Sequence, residues 1–152
     1  MQKLVLTDSD TVEFGRMVRK IKMFSSITMG LLEKILSQIN LYQYQTGENV
    51  CRQGEVGDSF YVIYTGRLGV HVKSGFFSYS KRVAELRPGE CFGEMSLLSR
   101  EPRNATITCE EGATLFVLMA DNFDQAVGQN VAFREEITRL AAERDYELRQ
   151  QK

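Results

Sequence analysis

The sequence predicts an α+β fold, an eight-stranded, jelly-roll-like β roll flanked by N-terminal and C-terminal helices. Three observations predict it. Apolar spacing changes from a helical period to a period of two near Leu41, and back again near Met119. Glycines at 47, 54, 57, 66, 75, 89, 93 and 112 separate short alternating runs between those points. No repeat, low-complexity tract or linker divides the 152 residues. They are read as a single domain, 1–152, with helices over about 8–39, the roll over about 41–119 and C-terminal helices over about 121–150.

The elements follow in order. Phe14, Met17, Val18 and Ile21 fall at i, i+3, i+4 and i+7, with Arg16, Arg19, Lys20 and Lys22 on the other faces. That spacing predicts an amphipathic helix over 11–22. Thr28 is the cap candidate of a second helix, which buries Leu32, Ile35, Leu36 and Ile39. In the roll, Phe60, Val62 and Tyr64 share one strand face, Leu68, Val70 and Val72 another, and Leu115, Val117 and Met119 a third. The run Glu94-Met95-Ser96-Leu97-Leu98 interrupts this pattern with helix formers. Beyond Met119, Asp121 or Asn122 caps a short helix reaching Val127, and Gly128 and Asn130 break it. A last helix starts near Val131. Its stripe of Phe133, Ile137, Leu140, Ala141, Arg144 and Leu148 lies in one arc at about 100° per residue, whereas Tyr146 points the other way.

Composition narrows the function classes. A net charge of -1 argues against a general nucleic-acid binder. The longest apolar runs fall far short of the roughly 20 residues a membrane span requires, and residues 1–20 carry acids rather than a signal-peptide pattern. The expected location is the cytoplasm, including the cytosolic portion of a membrane protein. Cys51, Cys91 and Cys109 are odd in number and form no CxxC pair, so free thiols are expected. His71 is the single histidine and is read as a rim residue. Enzymes on β rolls usually hold a metal with two or three histidines, and no Ser/His/Asp or Cys/His set can be assembled. A non-enzyme without metal or cofactor is expected. Residues 74–80 carry three aromatics, Phe76, Phe77 and Tyr79, which either pack on neighbouring strands or face a partner.

The chemistry concentrates in residues 92–106, Phe-Gly-Glu-Met-Ser-Leu-Leu-Ser-Arg-Glu-Pro-Arg-Asn-Ala-Thr. Gly93 permits close backbone approach and unusual dihedrals. The short helix after it exposes free N–H groups at its start. Arg103 adds a fork-shaped positive charge matched to phosphate oxygens, Pro102 fixes the backbone before it, and Glu94 offers an acceptor suited to a sugar hydroxyl. A small anionic ligand bearing a phosphate and a sugar would find every group it needs here.

Phe92-Gly93-Glu94-Met95-Ser96-Leu97, six residues, then Arg103-Asn104-Ala105-Thr106, resembles the phosphate-binding cassette of cyclic-nucleotide-binding domains. Such domains occur in protein kinase A regulatory subunits, cyclic-nucleotide-gated channels and bacterial catabolite activators. Gly54 to Ile63 followed by Gly66, and Pro88-Gly89-Glu90 before the cassette, resemble the family's earlier loop, strands and turn. The resemblance covers residues 20–145 and implies roles. Gly93 and Glu94 would meet the ribose, Glu94 accepting from the 2′-hydroxyl. Arg103 would neutralise the cyclic phosphate, with backbone N–H groups near Ser96 (Met95 among them) and of Ala105 completing the cradle. Val70 would be an apolar wall, and the last helix a lid after a hinge.

Arg144 has two readings, a snorkelling residue at the stripe's edge or a guanidinium stacked on the purine. In the family the residue after the cassette arginine biases base choice, Ala toward adenine and Thr toward guanine. Asn104 fits neither and could hydrogen-bond a guanine amino group. The rest of the cassette favours cAMP, with cGMP as the alternative. The implied function is a non-catalytic regulatory sensor whose closing helix signals to an effector domain or partner protein outside this sequence. The alternative is a ligand-independent structural or interaction module of a larger channel, kinase or transcription regulator. A catabolite-activator role would need a helix-turn-helix after the long helix.

Overall fold

The first helix begins at a capping box that the apolar spacing does not reveal. Thr7 Oγ1 accepts from the Asp10 amide at 3.1 Å, and Asp10 Oδ2 accepts from the Thr7 amide at 3.0 Å. Helix α1 (Asp8–Arg19) therefore starts and ends earlier than the expected 11–22. A 3-10 turn (Lys22–Phe24) follows, and Thr28 caps α2 (Met29–Leu36) through the Leu31 amide at 3.2 Å. Phe14, Val18, Leu32 and Ile35 are buried as their spacing predicts, and Ile39 is buried beyond the end of α2.

The computed structural model describes residues 1–73 and 79–150, apart from the side chains of 127, 128, 141 and 144–150. Its strands are β1 (Gln2–Leu4), β2 (Asn40–Tyr44), β3 (Asn49–Cys51), β4 (Ser59–Val72), β5 (Lys81–Leu86), β6 (Cys91–Phe92) and β7 (Thr106–Met119). All pair antiparallel in the order β1-β2-β7-β4-β5, with β3 added on β7 and β6 on β4.

Among the described residues there are seven strands, not eight. Two glycines expected between strands lie within them. Gly66 has φ +91°, and a Cβ there would stand 2.5 Å from the Gly112 carbonyl oxygen and 2.6 Å from Ala113 Cα. The β4–β7 register shifts around Thr65 and Arg67. Gly66 and Gly112 thus bend two 14-residue strands where the backbones approach, instead of ending four short ones. Strand β1 was not expected, since three residues carry no periodic signal.

The start of β4 is apolar without alternation because both of its faces are covered. Phe60 and Val62 pack toward the helices with Phe14, Phe24, Ile35 and Ile137. Tyr61 and Ile63 point into the roll with Leu68, Ile107, Leu115 and Val117.

At the C-terminal end, neither Asp121 nor Asn122 caps α3 (Ala120–Phe123); Met119 holds the cap position without a side-chain bond. The Ala120 amide donates instead to the Asp58 carbonyl at 2.8 Å, which ties the helix start to the loop before β4. A π-helical turn (Asp124–Gly128) leads on, and Asn130 Oδ1 caps α4 (Val131–Gln150) through the Phe133 amide at 2.9 Å. Phe133 packs on Phe24 and Phe123, Ile137 and Leu140 are buried, and Lys22 pairs with Glu143 at 3.4 Å. The described part of α4 is thereby seated on the N-terminal 3-10 turn. Residues 74–78, and the side chains of Ala141, Arg144, Tyr146 and Leu148, lie outside the described residues; Tyr79 is exposed.

Candidate ligand-binding site

The cassette folds as a cleft wall. Strand β6 delivers the chain to Gly93, whose φ of +81° and ψ of 16° reverse it into a single 3-10 turn, Glu94–Leu97. Leu97 is fully buried against the helical core, while Met95 is exposed. The Ser96 amide is consumed within the turn, donating to the Gly93 carbonyl at 3.0 Å, and its side chain is buried. Arg100 closes the far end by donating to the Ser96 carbonyl at 2.8 Å and reaching Asp121 at 3.2 Å and Asp124 at 3.4 Å.

Arg103 is held from both sides of its own backbone. Its amide donates to the Glu55 carbonyl at 2.7 Å, and its carbonyl accepts from the Gly54 amide at 2.8 Å. The glycine-rich loop before β4 thus acts as a clamp on the arginine. The half-buried side chain reaches back to β4, where Nη2 donates to the Ser59 carbonyl at 2.8 Å. Its Cζ lies 5.7 Å from the centroid of the Tyr61 ring, within cation–π range. A Cβ on residue 93 would stand 2.5 Å from Arg103 Nη1 and 2.6 Å from the Ser59 oxygen, so only glycine leaves room for this arrangement.

These groups surround a cleft of about 500 Å³, within the usual range for small-molecule sites. Gly93, Glu94, Met95, Ser96, Arg103, Asn104 and Ala105 all line it. Val70 does not: it pairs with Ile107, which does line the cleft, and packs against the core inside the roll. No described residue of α4 lines it either, and the Arg144 side chain lies outside the described residues. Sequence reasoning missed Cys51, Cys91 and Ile107 as lining residues; Cys51 and Cys91 lie outside residues 92–106, and so does Ile107. Burial pushes the Cys51 thiol above its ordinary value, and the nearby Arg103 charge partly opposes that. Among the described residues no cluster of three or more His, Cys, Asp or Glu side chains could hold a metal, and no helix is long and apolar enough to cross a membrane.

The sequence profile of the cyclic nucleotide-binding domain matches residues 41–130, more than half of the chain. The chain belongs to that family. It is 32% identical over 131 residues to a cGMP-dependent protein kinase of Eimeria tenella, covering 85% of this chain and 12% of the kinase. It is 30% identical over 135 residues to a cyclic nucleotide-gated potassium channel of Rhizobium etli, covering 89% of this chain and 36% of the channel. The domain therefore spans only a minor part of the length of these relatives.

Solved structures share the β-roll fold. The N-terminal domain of a transcriptional regulator from Streptomyces coelicolor A3(2) superposes with a TM-score of 0.75 at 21% identity, covering 87% of this chain and 94% of that one. The regulatory domain of Toxoplasma gondii PKA with cAMP gives 0.72 at 20% identity, covering 88% and 50%. The profile match and these relatives identify a cyclic nucleotide-binding regulatory domain.

Proposed function

We propose that this domain is a cytoplasmic sensor that binds cAMP in the cleft of residues 93–105, and that binding moves α4 to signal to an effector. The observation that carries the reading is Arg103, fixed by two backbone bonds and by Ser59 on the wall that also presents Gly93, Glu94 and Ala105. The cyclic phosphate would meet the remaining guanidinium donors and the Ala105 amide, and Glu94 would accept from the ribose 2′-hydroxyl. Placing the charge in a half-buried cleft strengthens the pairing relative to open water.

Two features support motion of α4. None of its described side chains lines the cleft, so the helix would have to move for those residues to reach a bound base. Ion pairs also run from the cassette through Arg100 to Asp124 and on to Arg134 of α4 at 3.4 Å, joining site and helix. The nucleotide shifts the balance only as far as its contacts differ between the two states, and a change from 1:99 to 99:1 requires about 5.5 kcal/mol. Arg144 on the closed helix would stack on the purine. The effector would lie outside this chain, as the kinase and channel lengths of the relatives suggest.

One observation favours cGMP as a second reading: Asn104 lines the cleft with an exposed amide suited to a guanine amino group, and the Eimeria tenella relative is named for cGMP. Competitive calorimetric titration with both nucleotides tests the proposal. Tighter binding of cAMP supports it, preference for cGMP selects the second reading, and no binding of either overturns both.

A further inference from the structure

We infer that Tyr61 is the positioning residue for the phosphate arginine: its ring is a shelf that holds the Arg103 guanidinium in place before ligand arrives. The inference rests on the nucleotide-binding reading and names a residue on a different strand from the cassette.

Three observations converge on the ring. Tyr61 stands on β4 directly opposite Phe92 on β6, and the two rings stack with centroids 4.6 Å apart and planes 12° from parallel. Phe92 is the first residue of the cassette, so this stack fixes the shelf to the wall it serves. The ring is 8% exposed and packs inside the roll, which leaves it little freedom to turn away. Arg103 Cζ sits over it at 5.7 Å.

The physical consequence is preorganisation. An arginine on an open loop samples many rotamers and loses that freedom when a ligand fixes it. Here the Tyr61 face, the Ser59 carbonyl and the missing Cβ of Gly93 define three sides of a box around the guanidinium. A cation is drawn to the negative face of an aromatic ring, and the attraction grows as the pair is removed from water. Part of the ordering cost is thus met during folding, and affinity rises without any contact between Tyr61 and the ligand.

Shape alone would make the same shelf from any flat ring, so the test varies charge at constant shape. Phenylalanine and its progressively fluorinated forms, up to pentafluorophenylalanine, are placed at position 61 of the full chain, and cAMP and cGMP affinities are measured by calorimetry. Tyr61→Phe is expected to bind within about twofold of wild type. Affinity should then fall step by step with fluorination, reaching roughly threefold to tenfold for the pentafluoro ring. In an Arg103→Ala background the trend should vanish. Should a fluorinated chain fold poorly, the comparison of Tyr61→Phe with Tyr61→Leu in both backgrounds carries the same cycle. Affinity insensitive to fluorination, or a trend that persists without Arg103, overturns this inference alone. A wild-type chain that binds neither nucleotide overturns the nucleotide reading and this inference with it.

Discussion

Replacing Arg103 by alanine removes the one cationic side chain that lines the cleft among the described residues. The expected loss of affinity follows from its bonds. One hydrogen bond goes to Ser59 in the ligand-free chain, which leaves other guanidinium donors for two phosphate oxygens. Charge-assisted bonds contribute about 1.5–3 kcal/mol each, and water refills part of the lost solvation. A net loss of about 3–4 kcal/mol is expected, roughly a 100- to 1000-fold increase in Kd. Stability should suffer far less. The fold loses the Ser59 bond and the ring contact, together about 1–2 kcal/mol. For a domain of this size the thermal midpoint should drop by about 2–8 °C. Calorimetric titration gives the affinity and a circular-dichroism melt gives the stability. Wild-type affinity in a folded Arg103→Ala domain would refute the phosphate role.

Other perturbations probe the same wall. Gly93→Ala forces a Cβ onto a residue at φ +81° and against Arg103 and the Ser59 carbonyl. It should destabilise by about 1–3 kcal/mol and weaken nucleotide binding by at least roughly tenfold, read by melt and titration. Alkylation of Cys51 by iodoacetamide, followed by peptide mass spectrometry, should be slow at neutral pH and accelerate as pH rises, because burial raises the thiol and only the thiolate reacts. At fixed pH the reaction should slow further in Arg103→Ala, which removes the charge that lowers this thiol, and should slow on saturation with nucleotide; equal rates in all three states would exclude Cys51 from the site. Arg144→Ala should weaken binding less than Arg103→Ala, by about 2- to 30-fold if it stacks on the base. An unchanged titration would mean that apolar contacts alone close the helix.

The cassette was legible because its chemistry is contiguous: Gly93, Glu94, Arg103 and Ala105 are residue types at a fixed spacing, and they meet on one cleft wall. The long strands were not legible, since a glycine that bends a strand and one that ends it look alike until the facing backbone is known. Gly66 needs its freedom because Gly112 and Ala113 stand across from it, a fact of tertiary pairing. The α3 boundary failed for a related reason. Asp121 and Asn122 are good caps by type, but the Ala120 amide had already found a partner in the Asp58 carbonyl.

Tyr61 shows the deepest limit of reading along the chain. In the run Phe60-Tyr61-Val62-Ile63 it is one apolar residue among four, and the alternation along that strand singles out Phe60 and Val62 rather than Tyr61. Its second role exists only because β6 brings Phe92 opposite it, and because the Gly54–Glu55 clamp returns Arg103 to the same strand. Each constraint is modest: a stack, a carbonyl, two backbone bonds, an absent Cβ. Together they leave the guanidinium few alternatives, and a charge with few alternatives binds phosphate at lower entropic cost. The affinity of the site should therefore depend on residues that never touch the nucleotide, and titration of the Tyr61 series in the two Arg103 backgrounds separates that contribution from the direct ones.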